Sequence, residues 1–61
     1  MKKSFELRSL GRRRVDGNYE AVMYELDRGF YKTVVFMDYS RKEIYHKLRH
    51  EYDCIVGRQF R

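Results

Sequence analysis

The spacing of hydrophobic residues changes once along this chain, from alternation in its first two thirds to a helical period after residue 40. At the start, Phe5 and Leu7 alternate with Glu6 and Arg8, as expected of a half-buried strand. From residue 41 onwards, apolar side chains recur at the three- and four-residue intervals of one helix face. The pattern predicts several strands followed by one helix.

Turn-forming residues divide the alternating part into three segments. The predicted strands cover residues 4–10, 19–27 and 30–37. Gly11 is expected to form a bulge, after which residues 12–15 could continue the first strand as far as the turn. Asp16, Gly17 and Asn18 tolerate the positive φ angles of a tight hairpin turn, and Gly29 supplies the second turn. Connections this short predict an antiparallel meander.

Two start signals mark the predicted helix, a capping box and a hydrophobic staple that Tyr39 and Ile44 can close. Ser40 and Glu43 have the Ser-x-x-Glu spacing of a capping box, in which the serine and glutamate side chains satisfy each other's backbone N–H groups. The helix then runs from residue 41 to about residue 53. Its apolar stripe consists of Ile44, Tyr45, Leu48 and Tyr52. This stripe is expected to cover one face of the sheet.

The end of the chain leaves three possibilities open. Cys54, Ile55 and Val56, followed by Gly57, fit a short returning strand, an extension of the helix, or an apolar segment along the core. We favour the short strand. The predicted fold class is therefore α+β, with residues 1–61 as a single small domain: a three-stranded antiparallel meander, one C-terminal α-helix packed on one face, and a short fourth strand as an addition.

Strands two and three carry apolar side chains on both faces, whereas one helix covers only one of them. Monomers rarely leave such a patch bare unless something binds there. The predicted anchors for a protein partner on the uncovered face are Met23, Tyr31, Val35 and Met37. A second copy of the chain, stacked bases, or the long stems of Lys and Arg side chains are alternative covers.

Composition adds a charge bias. The 61 residues include fourteen Lys and Arg against nine Asp and Glu, which gives a formal net charge of +5 and a sequence pI near 9.6. This balance favours phosphate backbones, anionic membranes or acidic protein surfaces as partners.

The lone Cys54 excludes an intrachain disulfide and fits a reducing compartment. No apolar run approaches the roughly 18 residues of a membrane span, so we expect a cytoplasmic protein with no membrane partner.

Arginines and tyrosines on the predicted sheet are the candidate nucleic-acid ligands. Guanidinium groups match phosphate oxygens bidentately, and aromatic rings on an open sheet stack on bases. The candidates are Arg8, Arg12, Arg14 and Lys32 for phosphates, with Tyr19 and Tyr31 for bases or sugars. The alternative for the arginine run is a solvated cluster that blunts the sheet edge, and for the rings it is ordinary packing.

The order of three strands and one packed helix over residues 5–53, with a basic first strand and the helix start at Ser40 and Glu43, resembles a known plan. It is similar to the integrase arm-type and plant Apetala-type DNA-binding domains. The resemblance is one of architecture, and the chain has no tryptophan where the Apetala pattern has several. It implies a sheet that lies in the major groove of DNA.

Metal binding and catalysis receive little support. His46 and His50 are one helical turn apart, with Glu43 and Cys54 at compatible spacings, but the second cluster typical of a zinc site is missing. The chain is too short to enclose a catalytic pocket around Cys54 and the histidines. We expect no metal, no cofactor and no enzymatic activity.

These observations predict a small basic nucleic-acid-binding accessory or regulatory protein. The alternative is a non-enzymatic interaction module, acting as a small subunit, adaptor or inhibitor, that docks through its uncovered sheet face or forms a homodimer through it. An acidic protein surface is the partner that the charge would favour in that case.

Overall fold

The computed structural model describes residues 4–37 and 39–60. Its elements, in chain order, are β1 (Phe5–Arg12), β2 (Tyr19–Glu25), β3 (Tyr31–Phe36), α1 (Arg41–Glu51), β4 (Cys54–Ile55) and a 3₁₀ turn (Arg58–Phe60). The predicted elements are all present, although strands two and three and the helix are a few residues shorter than their sequence patterns.

The strands form one sheet in the order β3-β2-β1-β4. Strands β1, β2 and β3 are an antiparallel meander, and the two-residue β4 lies parallel to β1. The helix carries the chain back across the sheet, which allows β4 to enter at the far edge in the parallel direction. The predicted α+β fold, including the short fourth strand, is confirmed.

A register shift in β1 decides which side chains share a face. Leu7 pairs with Met23 and Ser9 pairs with Val22, so the strand has one extra residue, Arg8, at this point. The expectation that Gly11 forms the bulge is wrong, since Gly11 pairs regularly with Glu20. An extra residue reverses the alternation of side chains beyond it. Residues after the bulge therefore lie on the opposite face from the one that simple alternation predicts.

One face of the sheet packs against α1 and the segment after it. The buried core consists of Leu7, Ala21, Met23, Phe36, Ile44, Leu48, Cys54 and Val56. Ile44 and Leu48 are fully buried because they lie one turn apart on the same helix stripe. We call this side of the sheet the covered face and the other side the open face.

The predicted capping box fixes the start of α1. The backbone N–H of Glu43 donates to the Ser40 hydroxyl at 3.3 Å, and the backbone N–H of Ser40 donates to the Glu43 carboxylate at 3.1 Å. Both donors would otherwise be unsatisfied at a helix N-terminus. Within the described residues, α1 is too short and too polar to cross a membrane.

Candidate nucleic-acid interface

The predicted nucleic-acid ligands do not form one stripe, because the bulge in β1 separates them onto two faces. Arg8 and Tyr31 lie on the open face, where both adjoin Tyr24. Arg12 and Tyr19 lie together on the covered face, at the end of the sheet next to the start of α1. We therefore describe the two faces separately.

On the open face, cationic groups are neutralised within the protein. The guanidinium of Arg8 is 3.1 Å from the Glu6 carboxylate and lies 4.9 Å from the centre of the Tyr24 ring. Arg13 is 3.6 Å from Asp16 and 4.0 Å from Glu20. A phosphate approaching this face would have to compete with these carboxylates.

The open face also presents the exposed apolar side chains. Tyr31, Val35 and Met37 are 63%, 38% and 65% exposed, as the partner-docking alternative requires. Met23, the fourth predicted anchor, is fully buried because it pairs with Leu7 and lies on the covered face. Its assignment as a partner anchor is wrong.

The covered face contains a different arrangement of arginines at its border with α1. The guanidinium of Arg12 lies 4.6 Å from the centre of the Tyr19 ring, and that of Arg41 lies 5.9 Å from the same ring. Arg12 also donates to the backbone carbonyl of Gly17 at 3.1 Å. Tyr19 thus joins the end of β1 to the first turn of α1 through two cation–π contacts.

From Arg41 an open groove of about 690 Å³ extends along α1 to the C-terminal turn. We call it the basic groove. Its lining residues are Arg41, Lys42, Tyr45, His46, Arg49, Gln59 and Phe60. Three carry a permanent positive charge and two are aromatic, and among the described residues none of those lining the groove is acidic. This is the composition expected of a phosphate-binding surface.

The position of two of these cations is unfavourable for the helix itself. Arg41 and Lys42 occupy the first turn of α1, where the helix dipole favours acidic side chains and disfavours basic ones. Residues that break a local preference of this kind are often found where function requires them. The same positive end of the helix attracts anions.

Arg41 is held in place by a tyrosine. Its guanidinium donates to the Tyr45 hydroxyl, with the shorter of the two nitrogen–oxygen distances at 2.7 Å. This hydrogen bond raises the pKa of Arg41 above its ordinary value. Arg41 therefore remains charged throughout the working pH range, with its side chain oriented along the groove.

The carboxylates of α1 are engaged elsewhere. Hydrogen bonds from the backbone and hydroxyl of Ser40 lower the pKa of Glu43. Glu51 accepts from the ammonium of Lys47 at 2.8 Å, and this hydrogen bond raises the pKa of Lys47. Glu43 is therefore engaged by the helix cap and Glu51 by Lys47, and neither lines the groove.

The two remaining predicted ligands lie apart from the basic groove. Arg14 is exposed in the turn between β1 and β2. The ammonium of Lys32 is 5.9 Å from the centre of the Phe5 ring and 5.6 Å from that of Tyr52, which places it over the edge of the core. Neither side chain lines the groove.

The histidines considered as metal ligands are neighbours. The rings of His46 and His50 have their centres 4.3 Å apart on the surface of α1, whereas Cys54 is buried in the core. Within the described part of the chain, no three His, Cys, Asp or Glu side chains are grouped closely enough to hold a metal ion.

The sequence patterns missed Arg41, Lys42, Arg49 and Phe60 as site residues. The first two gave a signal, because basic residues directly after a capping serine oppose the helix dipole. Phe60 gave none, since the return of the C-terminal segment to α1 depends on tertiary packing.

Comparison with protein-family models, curated proteins and solved structures gives no match.

Proposed function

We propose that this protein binds nucleic acid through the phosphate backbone, using the basic groove. The observation that supports the proposal is a contrast between the two surfaces: the described residues that line the groove include Arg41 and Lys42 and no acidic residue, whereas the open-face arginines contact acidic side chains. Cations that bind phosphate release counterions from the nucleic acid, which drives association.

The dimensions of the groove agree with contact to several phosphates. Arg41 and Arg49 are eight residues apart, or about 12 Å along the helix axis at 1.5 Å per residue. One strand of B-DNA advances about 3.4 Å per phosphate. Three successive phosphates advance about 7 Å at this rise, so one phosphate for each of the three cations fits along the groove, and Arg12 extends the cationic surface beyond Arg41 by way of Tyr19.

The aromatic residues supply the second part of the interaction. Tyr45 and Phe60 are partly buried against the core, so their rings are held in place at little entropic cost. Rings fixed beside cations contact sugars or bases of a single strand while the cations contact its phosphates. The proposed activity is binding without catalysis, in an accessory or regulatory role.

The direct test is the salt dependence of binding to a fluorescently labelled single-stranded oligonucleotide, measured by anisotropy. Three phosphate contacts should give a slope of log K against log salt near −2 for a single strand and near −3 for a duplex, at about −0.7 and −0.9 per contact. No binding at low salt, or affinity that does not fall as salt rises, would contradict the proposal.

A second candidate function is docking of a protein on the open face. The supporting observation is that Tyr31, Val35 and Met37 are exposed together beside arginines that are already neutralised. Apolar contact area, and not charge, would then provide most of the binding free energy. Substituting Val35 with Asp should abolish such docking, as judged by loss of complex formation at constant helix content.

A further inference from the structure

Strand β3 is the free edge of the described sheet, and its outer backbone groups can be identified. The backbone N–H of Glu25 donates to the carbonyl of Phe30 at 2.8 Å. In an antiparallel ladder, hydrogen-bonded and non-bonded pairs alternate. The N–H and C=O groups of Tyr31, Thr33 and Val35 therefore point away from β2, to the side where no other strand of the described residues lies.

This edge has few of the features that normally prevent strand pairing. Proteins protect edges with charged residues, proline, bulges or covering segments. The six residues of β3 include one charge, Lys32, and pair with β2 without interruption. Lys32 lies at one end of the strand and reaches over the rings of Phe5 and Tyr52 on the covered face. The central part of the edge is left without a charge.

We infer that β3 pairs antiparallel with β3 of a second copy of this chain, across a two-fold axis at Val34. In this register Thr33 lies opposite Val35 of the second copy, and Tyr31 lies opposite Met37. The outward N–H and C=O groups of Thr33 then exchange a pair of hydrogen bonds with those of Val35 in the second copy, and the axis repeats this pair on its other side. An exposed tyrosine and an exposed methionine cover each other on the open face.

Two registers pair most of the strand, one with the axis at Val34 and one with the axis at Thr33, and charge repulsion favours the first. With the axis at Val34, the two copies of Lys32 are four residue steps apart, about 14 Å at roughly 3.4 Å per step. That distance exceeds the Debye length of about 8 Å at physiological salt. An axis at Thr33 would halve the separation to about 7 Å, within the range where the two ammonium groups repel each other.

A second copy fits this edge because the surface is self-complementary. The ion pairs Glu6–Arg8 and Glu20–Arg13 neutralise the open face within each copy, so the net charge of +5 does not oppose association there. A chain of 61 residues also has a small core and gains more than a large one from burying additional surface. An acidic peptide would find few cations on β3 to pair with.

The arrangement has a consequence for the whole assembly. Because the axis is perpendicular to the sheet, the two open faces join into one surface and both helices lie on the opposite side. The basic grooves of both copies then lie on the helix side of the joined sheet. The interface itself is independent of what the grooves bind, so it can be tested without nucleic acid.

The test compares the molar mass of the wild-type protein with that of Thr33→Pro, measured by size-exclusion chromatography with light scattering. Proline removes the outward N–H of Thr33 and leaves the ladder with β2 intact. We expect the wild-type protein to be a dimer. The dissociation constant of the Thr33→Pro dimer should be at least about tenfold higher, because two hydrogen bonds are lost per dimer. Circular dichroism checks that the variant keeps its fold.

Cysteine substitutions test the register in the otherwise wild-type chain. Val34→Cys should cross-link rapidly under mild oxidation, since directly opposed non-bonded pairs have Cα atoms about 4.5 Å apart. Tyr31→Cys is the matched control and should not cross-link, because its two copies would be about 20 Å apart along the strands.

A monomeric wild-type protein would overturn the inference. So would a dimer that is unaffected by Thr33→Pro but is dissociated by Ile55→Asp, because Ile55 lies on the open face far from β3 and such a dimer would use the faces instead of the edges. Equal cross-linking of the two cysteine variants would likewise reject the register centred on Val34.

Discussion

The basic groove and the open face contain similar residues but treat positive charge differently. On the open face, Arg8 and Arg13 each lie within 4.0 Å of a carboxylate. In the groove, Arg41 and Lys42 stand at a helix terminus that disfavours them, with aromatic neighbours and no lining acid among the described residues. Net charge therefore says less about a binding surface than the position of the carboxylates.

The largest expected difference between the two regions concerns stability. Leu48 is fully buried beneath the groove, whereas Val22 is partly exposed on the open face. Leu48→Ala should lower the free energy of unfolding by about 2–5 kcal/mol, as large-to-small core substitutions do, and Val22→Ala by less than about 1.5 kcal/mol. Urea unfolding monitored by circular dichroism measures both. Equal losses would mean that the open face is as tightly packed as the core.

A smaller effect is expected from the helix cap, which fixes the first turn of the groove. Ser40→Ala removes the acceptor for the Glu43 backbone N–H and should cost about 1 kcal/mol. For a domain of this size, that corresponds to a fall in Tm of roughly 4–8 °C. Hydrogen exchange should rise in the first turn of α1 and remain unchanged in β2. Faster exchange throughout the sheet would contradict a local role for the cap.

A weaker effect on binding is expected at Tyr45. Tyr45→Phe keeps the ring but removes the hydroxyl that accepts from Arg41. Affinity for a single-stranded oligonucleotide should fall about two- to threefold, since one oriented cation becomes mobile and about 0.5 kcal/mol of net hydrogen bonding is lost. Tyr24→Phe is the matched control on the open face and should leave affinity unchanged. An equal loss in both variants would argue against the groove.

The smallest effect is a change in acid sensitivity. The pKa of Glu43 is lowered by its hydrogen bonds with Ser40, so its ionised form stabilises the folded state. That contribution is complete above the ordinary glutamate pKa of about 4.3 and is lost as the pH falls through the lowered folded value. Glu43→Gln should be less stable than wild type at pH 7, and the difference should narrow below about pH 4. A constant difference in urea midpoint between pH 7 and pH 3 would contradict this.

The fold could be predicted because its signals are local. The capping box at Ser40 and Glu43, the turn residues at Gly17 and Gly29, and the change in hydrophobic period each depend on neighbours within a few residues. The structure contains the corresponding helix start and both turns with glycine at φ 74°. The short β4 was less well determined by local signals, because the sequence left a strand, a helix extension and an apolar segment open for this part of the chain.

The candidate site could not be predicted because it depends on tertiary contacts. A single extra residue at Arg8 places Arg12 on the covered face beside Tyr19, and no local pattern located that bulge. The apolar residues of β2 fit either face equally, so their pattern does not show that Met23 belongs to the buried core. The C-terminal turn that completes the groove meets α1 only after the chain has folded.

The most direct test of the central claim compares two double variants with the same change in net charge. The groove variant, Arg41→Gln/Lys42→Gln, removes two cations from the groove. The control variant, Arg8→Gln/Arg28→Gln, removes one cation from the open face and one from the turn between β2 and β3, where the Arg28 side chain is 77% exposed. Removing positive charge from a helix N-terminus favours the helix dipole interaction, but Arg41→Gln also removes the contacts with Tyr45 and Tyr19, so circular dichroism checks that the groove variant keeps its fold.

Oligonucleotide affinity of both variants would be measured by anisotropy as a function of salt. We expect the groove variant to lose affinity at least about tenfold at low salt, and its slope of log K against log salt to become shallower by about 1.4, two contacts at roughly 0.7 each. The control variant should remain within about twofold of wild type with the wild-type slope. Equal losses in the two variants would show that binding follows total charge and not the basic groove, and would contradict the account.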